Sequence, residues 1–397
     1  MNFELTAPHF LVSISRRWVA AAVAASTALF FVLGCGEPAA NGNDEEELAR
    51  TMELTQVIDL GPDCLVPGYI TVYQDMAYVT CGGTWGENEG RLVIIDLSDM
   101  SIAESTHLGG MPGAMKVFEE VLVIADGSDG RVFVTDLLGD IIHDHEDPVV
   151  LCPSNFEENL FQSIAGLAES PEDEILASCF SSSEVVRFRL EPGAEEDDAR
   201  NAVISSRVTA GDGAGSLARW GEEKAIVLDG LAGTASLVDL EGDMEATPFH
   251  WQLGETPNDI IIDEDRALVV NSTSQTLQVL DLNADPSAAT THEVFLGNGT
   301  NPMSLALLSR NEVLVTLWLM NELVLVDLDA GGIVARAGLP SGEDLLPLGE
   351  MKPSALPQGV ALTGDGRALV ALNNMDEDMQ PAGHGIVAII EIEAESP

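Results

Sequence analysis

The stretch LVIIDL at residues 92–97 recurs along the chain with small variations and decides the fold. Each copy is a short apolar run that ends in Asp-Leu or a relative of it. The copies are LVIIDL (92–97), VFVTDL (132–137), VVRFRL (185–190), ASLVDL (235–240), LQVLDL (277–282), LVLVDL (323–328) and VAIIEI (387–392). Successive copies lie roughly 40 to 64 residues apart, and periods of this size are typical of solenoids and propellers.

Each copy follows two further segments that are predicted to be strands. In the fifth copy, the first strand starts after Pro257, a polar turn follows at Glu264 and Asp265, and a second apolar strand covers residues 268–270. A more polar fourth strand covers residues 292–296. Short apolar runs between turn residues are typical of antiparallel hairpins. Seven copies of four antiparallel strands predict an all-β, seven-bladed β-propeller, with six or eight blades as alternative counts.

The two ends of the repeat region predict how the ring closes. Residues 55–60 (TQVIDL) look like a fourth strand with no first three strands before it. The last copy ends at Ile392 and leaves almost no room for a fourth strand of its own. We therefore expect the N-terminal strand to dock on the last blade, which protects both sheet edges and makes residues 51–397 a single domain.

Two short motifs resemble the YVTN repeat family of β-propellers. Tyr78-Val79-Thr80 ends one second strand, and Asn271 closes another. The resemblance covers about residues 55–392 and implies the seven-bladed fold without naming a function. Lactonase-like relatives of this fold imply a His, an Arg and carboxylates around the channel mouth. None of the matching positions holds His or Arg; they are Gly68, Gly113, Asn258, Met303 and Gln358.

The first 50 residues resemble an export signal and a tether. Residues 19–33 carry no charge, which suits the apolar region of a signal peptide and is short for a membrane span. The sequence VLGC at 32–35 resembles the lipobox of bacterial lipoproteins, which implies a signal peptide at 1–34 and lipidation of Cys35. An ordinary signal peptide is the alternative. Residues 35–50 are polar and acidic and are predicted to form a flexible tether.

The resemblance to a lipoprotein predicts the location of the protein. It implies a cell-envelope protein whose lipid anchors it to the membrane, and the default is the outer membrane, on its periplasmic side or at the cell surface. Arg16 and Arg17 partly resemble a twin-arginine signal, so the export route stays open between that pathway and the general secretory one.

The charge of the chain excludes one class of partner. There are 17 Lys and Arg against 66 Asp and Glu, so the formal net charge is −49. Nucleic acid binding requires clustered basic side chains, and this field would repel phosphates. An acidic coat with few lysines also resembles proteins that are adapted to high salt, where screening removes self-repulsion.

The repeat selects a pairing for the remaining cysteines. Cys81 and Cys179 both end the second strand of their copies, and Cys64 and Cys152 both lie in the loop that enters the first strand. These two loop types share one face of a propeller, so we expect the disulfides Cys64–Cys81 and Cys152–Cys179. Export permits disulfides; buried free thiols are the alternative.

The same face holds the candidate binding residues. Asp126, Asp229 and Asn271 occupy the position of Cys81 and Cys179 in other copies, where they either line a polar mouth or cap their own turns. Other candidates begin a first strand, sit in or beside loops, or open the long last insertion. They are Asn258, Asp259, Trp85, Trp318 and Asn373.

Two segments of the sequence contain candidate metal ligands. His143 and His145 are spaced for one face of a strand, although a solvated acidic strand explains them as well. The last insertion, with Asp376, Asp378 and His384, offers oxygen ligands to Ca²⁺ but lacks the spacing of a calcium loop. We therefore expect no obligatory cofactor, with Ca²⁺ as the one candidate.

The sequence favours a binding role over an enzymatic one. The anchor, the tether and the regular blades predict a lipid-anchored scaffold that binds a protein, a glycan or a small molecule through its loop face. The alternative is an exported metal-dependent hydrolase or lactonase-like enzyme, in which Asp126, Asp229, Asn271 or Asp259 would hold the cation. The sequence does not identify the ligand.

Overall fold

The chain folds into seven antiparallel sheets that form a β-propeller. The computed structural model describes residues 50–83, 89–142, 149–153, 163–192, 200–340, 354–376 and 380–393. Helix is confined in these ranges to two single 3₁₀ turns, Pro286–Ala288 and Trp318–Met320, and no described helix is long and apolar enough to cross a membrane. The predicted fold class is confirmed, and we number the blades I to VII in chain order.

Blades I to III follow the N-terminal strand β1 (Met52–Asp59). Blade I contains β2 (Pro67–Tyr73), β3 (Met76–Cys81), β4 (Arg91–Asp96) and β5 (Ser101–His107). Blade II contains β6 (Pro112–Phe118), β7 (Val121–Asp126) and β8 (Val132–Asp136). Blade III contains β9 (Ile164–Ser170), β10 (Glu174–Cys179), β11 (Glu184–Pro192) and β12 (Arg200–Thr209).

Blades IV to VII complete the ring. Blade IV contains β13 (Ala214–Trp220), β14 (Lys224–Asp229), β15 (Thr234–Asp239) and β16 (Glu245–Gln252). Blade V contains β17 (Pro257–Asp263), β18 (Arg266–Asn271), β19 (Thr276–Asp281) and β20 (Thr290–Phe295). Blade VI contains β21 (Pro302–Ser309), β22 (Glu312–Leu317), β23 (Glu322–Asp327) and β24 (Gly332–Gly338). Blade VII contains β25 (Pro357–Leu362), β26 (Ala368–Leu372) and β27 (Ile386–Ile392).

Blade II has three named strands and the beginning of a fourth. Thr135 and Ile141 form an isolated antiparallel bridge, and the Ile142 amide donates to the Val134 carbonyl at 2.9 Å. Residues 143–148, which follow, lie outside the described residues. The other six sheets have four strands each.

The N-terminal strand closes the ring as predicted. β1 pairs antiparallel with β27 from Met52 opposite Ile392 to Asp59 opposite Ile386, so blade VII takes its outer strand from the other end of the chain. The Leu60 amide extends the pairing by donating to the Gly385 carbonyl at 2.8 Å. The pairing covers the sheet edges that both chain ends would otherwise expose.

The hydrophobic core is divided into seven clusters, one at each blade–blade interface. β18 shows how one strand serves two interfaces. Its Ala267 and Val269 pack in the cluster with blade IV, whereas Leu268 and Val270 pack in the cluster with blade VI. Because the second strand of a blade is buried on both faces, its sequence is an uninterrupted apolar run rather than an alternating one.

The Asp of the repeated Asp-Leu caps the turn after the third strand. In five blades its Oδ1 accepts the amide N–H two residues later, at 2.8 to 3.0 Å. This is an Asx turn, in which the side chain replaces a backbone acceptor. The following Leu amide donates to the turn between the first two strands, as in Leu97 to the Asp75 carbonyl at 2.9 Å. The motif therefore ends the third strand and ties two turns together.

We expect Asp327→Ala to destabilise the propeller by about 1–2 kcal/mol, because Asp327 Oδ1 accepts both the Asp329 amide at 2.8 Å and the Ala330 amide at 3.0 Å. Asp327→Asn keeps an acceptor oxygen and should lose less. The free energy of unfolding in urea measures the effect, with Glu293→Ala on the exposed strand β20 as the control. Equal losses for Asp327→Ala and Glu293→Ala would refute the cap.

Candidate functional site

The predicted site residues lie on one face of the propeller. This face carries the turns between second and third strands and the connections that enter the first strands, and we call it the loop face. The opposite face carries the turns between first and second strands and between third and fourth strands, and we call it the turn face. Most of the candidate residues lie on the loop face.

Asp126 is occupied by its own turn. It ends β7 and is 1% exposed. Its Oδ1 accepts the amide of Met111 at 3.1 Å and both the amide and the hydroxyl of Ser128, at 2.9 and 2.6 Å. Its Oδ2 lies 3.5 Å from Arg131 Nε. The carboxylate therefore ties its turn to the connection before β6 and is neutralised by an arginine, as the cap interpretation predicts.

Asp229 occupies the same place in blade IV and is fully buried. It accepts hydrogen bonds from the hydroxyls of Thr234 at 2.8 Å and Ser236 at 2.9 Å. Burial raises the pKa of Asp229, and these two hydroxyls and the Gly211 amide oppose the rise. Gly211 must be glycine, because a Cβ there would lie 2.1 Å from Asp229 Cγ. The Gly211 backbone therefore lies directly against the Asp229 carboxylate.

Asn271 in blade V occupies the same position as Asp126 and Asp229, and only its amide nitrogen has hydrogen-bond partners among the described residues. The residue is fully buried at the end of β18. Its Nδ2 donates to Thr276 Oγ1 at 3.1 Å and to Gln278 Oε1 at 3.3 Å. Its Oδ1 has no hydrogen-bond partner within the described residues.

The two disulfides occupy the same position in blades I and III. Cys64 pairs with Cys81 and Cys152 with Cys179, each with a Cα–Cα distance of 5.3 Å. The predicted pairing is confirmed. All four residues are buried, so the bridges are protected from solvent. A disulfide in these blades makes the link between second strand and entry loop that a carboxylate makes in blades II and IV.

This equivalence predicts that a carboxylate can partly replace a disulfide. Cys64→Ala/Cys81→Ala should cost about 2–4 kcal/mol of unfolding free energy. Cys64→Gly/Cys81→Asp should recover about 1 kcal/mol of that loss, because it rebuilds the glycine–carboxylate contact of blade IV. Urea denaturation under oxidising conditions compares the two variants, with the wild type as the reference. The equivalence is wrong if the Gly/Asp variant is no more stable than the Ala/Ala variant.

Asp259 links three blades near the axis. Its Oδ1 accepts the Ile260 amide at 2.9 Å and Ser216 Oγ of blade IV at 3.3 Å. Its Oδ2 accepts Ser304 Oγ at 2.8 Å and the Leu305 amide at 3.1 Å, both from blade VI. The residue borders the axis and is partly accessible, but its carboxylate has four donors around it. The carboxylate therefore connects the first strands of three blades, and its predicted role in binding stays a prediction.

Burial shifts the pKa of the Asp259 carboxyl and of the Tyr69 phenol. Burial raises the pKa of Asp259, although its four donors oppose the rise. Across the axis, burial raises the pKa of Tyr69 in blade I to about 12, and the negative charge of Asp259 adds to the shift. The two groups therefore interact electrostatically although they belong to blades I and V. Neither Tyr69 nor the serines were predicted from the sequence, since their roles depend on contacts between blades.

The raised pKa of Asp259 predicts a pH dependence of stability. The folded state binds this proton more tightly than the unfolded state, so the stabilisation is fully present below the usual carboxyl pKa of 3.8 and is lost as the pH rises through the folded pKa. The wild type should therefore lose stability relative to Asp259→Asn between pH 4 and neutrality. Urea unfolding of both proteins across this range measures the difference, and a constant difference would contradict the assignment.

Asn258, Gln358 and Asn373 form amide contacts around the axial mouth. Asn258 Nδ2 contacts Ser272 Oγ and donates to the Pro302 carbonyl at 3.2 Å. Asn373 Nδ2 donates to Gln358 Oε1 at 2.9 Å. Gln358 was not among the predicted site residues, and the signal that identifies it is its position directly after the proline that opens β25.

Of the two tryptophan candidates and the His143–His145 pair, the structure describes only Trp318. Trp318 begins the 3₁₀ turn Trp318–Met320 on the loop face of blade VI, where it is partly exposed and its Nε1 is buried without a partner in the part of the chain that is described. Trp85, His143 and His145 lie outside the described residues, so their predicted roles remain predictions.

In the last insertion, two of the calcium candidates contact different residues. Asp376 Oδ1 accepts the Gln380 amide at 2.9 Å, and His384 Nδ1 lies 3.1 Å from Asp59 Oδ1 of the N-terminal strand. Asp378 lies outside the described residues. Over the described ranges, no group of three or more His, Cys, Asp or Glu is positioned to hold a metal ion. The calcium site stays a prediction.

Comparison with known proteins supports the fold. No protein-family model matches the chain, and no curated protein matches it in sequence. Among solved structures, streptogramin B lyase superposes with a TM-score of 0.63 at 13% identity, over 88% of this chain and 100% of that one. Virginiamycin B lyase from Staphylococcus aureus gives 0.60 at 13%, over 85% and 99%. The Pan2 WD40 domain from Neurospora crassa gives 0.56 at 10%, over 85% and 94%.

These likenesses confirm the seven-bladed propeller that the YVTN resemblance implied. At such low identity they carry no information on activity, and membership of the YVTN family stays a prediction. The similar structures include lyases, a WD40 domain and a chain of the Mitotic Checkpoint Complex. The function of this chain depends on the side chains that it places on the shared fold.

Proposed function

We propose that this protein is a lipid-anchored scaffold of the cell envelope that binds a ligand through its loop face. The observation that carries the proposal is the exposure of large apolar side chains at the turns of this face. Leu231 in blade IV is 58% exposed, and Leu319 and Met320 in blade VI are 39% and 48% exposed. Leu319 and Met320 adjoin Trp318. Apolar groups held at turn tips, where most turns of this chain are polar, suit a recognition surface.

The state of the carboxylates favours binding over the metal-dependent hydrolase. Hydrolytic use of a cation requires oxygen ligands that are free to coordinate it. Asp126 Oδ1 and both oxygens of Asp229 and Asp259 accept hydrogen bonds from the fold, and Asp126 Oδ2 faces an arginine. These contacts explain the residues without a metal. No specific contact in the described chain favours the enzymatic alternative.

The path of the chain suits an anchored scaffold. The described chain enters blade VII at Arg50, whose guanidinium pairs with Glu312 at 2.8 Å. Met52 then pairs with Ile392 at the turn-face end of β27. The segment that follows Cys35 would therefore join the propeller at the turn-face end of β1.

Site-specific photocrosslinking in the producing cells tests the binding face. A crosslinking amino acid at Leu231 or Met320 should give discrete adducts with the ligand, because the proposal places both positions in contact with it. The matched control is Leu138, which is 73% exposed but lies on the turn face after β8. Adducts at Leu138 and none at the two loop-face positions would overturn the assignment of the binding face.

The anchor is tested separately by Cys35→Ser. Loss of the lipidated cysteine should move the protein from the membrane fraction to the soluble fraction of the envelope and abolish incorporation of labelled palmitate. Cys152→Ala/Cys179→Ala serves as the control for effects of cysteine removal on the fold. A Cys35→Ser protein that stays in the membrane fraction would remove the lipoprotein assignment without affecting the binding face.

A further inference from the structure

The loop face differs in chemistry around the ring. In blades I to IV, the residue after the first position of the inner strand has at most a Cβ; these residues are Gly68, Gly113, Ala165 and Gly215. In blades V to VII the same position holds Asn258, Met303 and Gln358. Three neighbouring blades therefore project polar or thioether side chains beside the axis, next to four blades that project none.

We define the amide cluster as the amide side chains at the loop-face ends of blades V and VII, which are Asn258, Asn271, Gln358, Asn373 and Asn374. Asn258 Nδ2 reaches Met303 Sδ at 3.1 Å and so spans blades V and VI. Thr316 Oγ1 of blade VI donates to the Gln358 carbonyl at 3.0 Å, and Gln358 Oε1 accepts from Asn373. The position of a Cβ on Gly68 lies 3.5 Å from Gln358 Oε1, so the cluster borders the open blades.

Several polar atoms of this region are buried and unpaired. Asn271 and Asn374 are 0% exposed and Asn373 is 3% exposed, and the Oδ1 atom of each has no hydrogen-bond partner among the described residues. The same holds for Trp318 Nε1. Gln358 is only half-buried. Buried polar groups in native proteins are nearly always paired, so unpaired ones require an explanation. Nine other buried side-chain atoms of the described residues, in blades II to V, also lack a hydrogen-bond partner, but every unpaired amide oxygen among the described residues belongs to the amide cluster.

We propose that the amide cluster binds an uncharged carbohydrate, an inference that rests on the proposed binding role of the loop face. An amide side chain offers a donor and an acceptor from one rigid group, which matches adjacent sugar hydroxyls. Trp318 and Met303 supply apolar surface for the ring face of a sugar. The cluster itself carries no charge, and the carboxylate of Asp259, the residue after Asn258, already has four donors.

The charge of the whole chain selects among sugars. A net charge of −49 disfavours the approach of anionic saccharides, and the cluster has no basic side chain to hold a carboxylate or a sulfate. Hexoses and N-acetylhexosamines satisfy the requirement for hydroxyl and amide groups without charge. A peptide is less suited, because the cluster presents isolated amides rather than a free strand edge.

Binding of neutral oligosaccharides by the full chain in detergent micelles tests the proposal. The probes are hexose and N-acetylhexosamine oligomers, with the uronic acid counterpart of each as the charged comparison, and calorimetry measures the affinity. The wild type should bind at least one neutral oligomer and bind its uronic acid counterpart at least tenfold more weakly. Gln358→Ala and Trp318→Ala should each lower the affinity at least tenfold.

The control is Asn311→Ala, which removes an amide from the turn face of the same blade as Met303 and Trp318, where Asn311 Nδ2 donates to Asp329 at 2.6 Å. This variant should bind like the wild type, and thermal melting checks that all variants are folded. The proposal is overturned if no neutral oligomer binds at about 10 mM, if neutral peptides bind instead, or if Asn311→Ala weakens binding as much as Gln358→Ala.

The two proposals fail in different ways. Loop-face crosslinks at Leu231 and Met320 without saccharide binding would retain the scaffold and remove the carbohydrate site. Saccharide binding that Gln358→Ala abolishes, with Leu231 and Met320 giving no adducts, would retain the amide cluster as the site and show that the apolar turns do not contact the ligand.

Discussion

Burial of both faces of every blade is the constraint on which the structure depends. A blade cannot satisfy its central strands alone, because the second strand has apolar side chains in both directions, as Leu268 and Val269 of adjacent interfaces show. Each blade therefore needs two neighbours, and only a closed ring gives two neighbours to all of them. The antiparallel pairing of β1 with β27 is the step that makes closure possible, since it joins the two ends of the chain in one sheet.

The same constraint explains why the fold could be predicted from the sequence. Burial on both faces produces uninterrupted apolar runs, and in five blades an Asx cap forms the turn after the third strand. The Asp-Leu repeat is therefore a local signature of a local structure. The disulfide pairing was predictable for a related reason. Cys81 and Cys179 fall at the same repeat position, and the position of their partners follows from the face that both loops share.

The chemistry near the axis could not be predicted in this way. Asp259 begins an ordinary first strand in sequence, and nothing local indicates that Ser216 and Ser304, from two other blades, will donate to its carboxylate. Tyr69 is four blades away from Asp259 in chain order, yet the charge of Asp259 contributes to the raised pKa of its phenol. Such contacts arise from the closure of the ring, so the sequence of a single repeat does not reveal which groups donate to Asp259.

The two faces of the propeller differ because of where the repeats place their acids. The Asx caps, such as Asp281, and the acidic hairpin turns, such as Glu264 and Asp265, all lie on the turn face. The corresponding loop-face acids, Asp126 and Asp229, are buried and hydrogen-bonded. The repeat thus places the Asx caps on the turn face and buries these two carboxylates on the loop face, where Asp63, Asp129 and Glu255 stay exposed. A ligand that avoids charge and seeks hydrogen bonds would therefore find its complement among the amide side chains of blades V and VII rather than across the whole loop face.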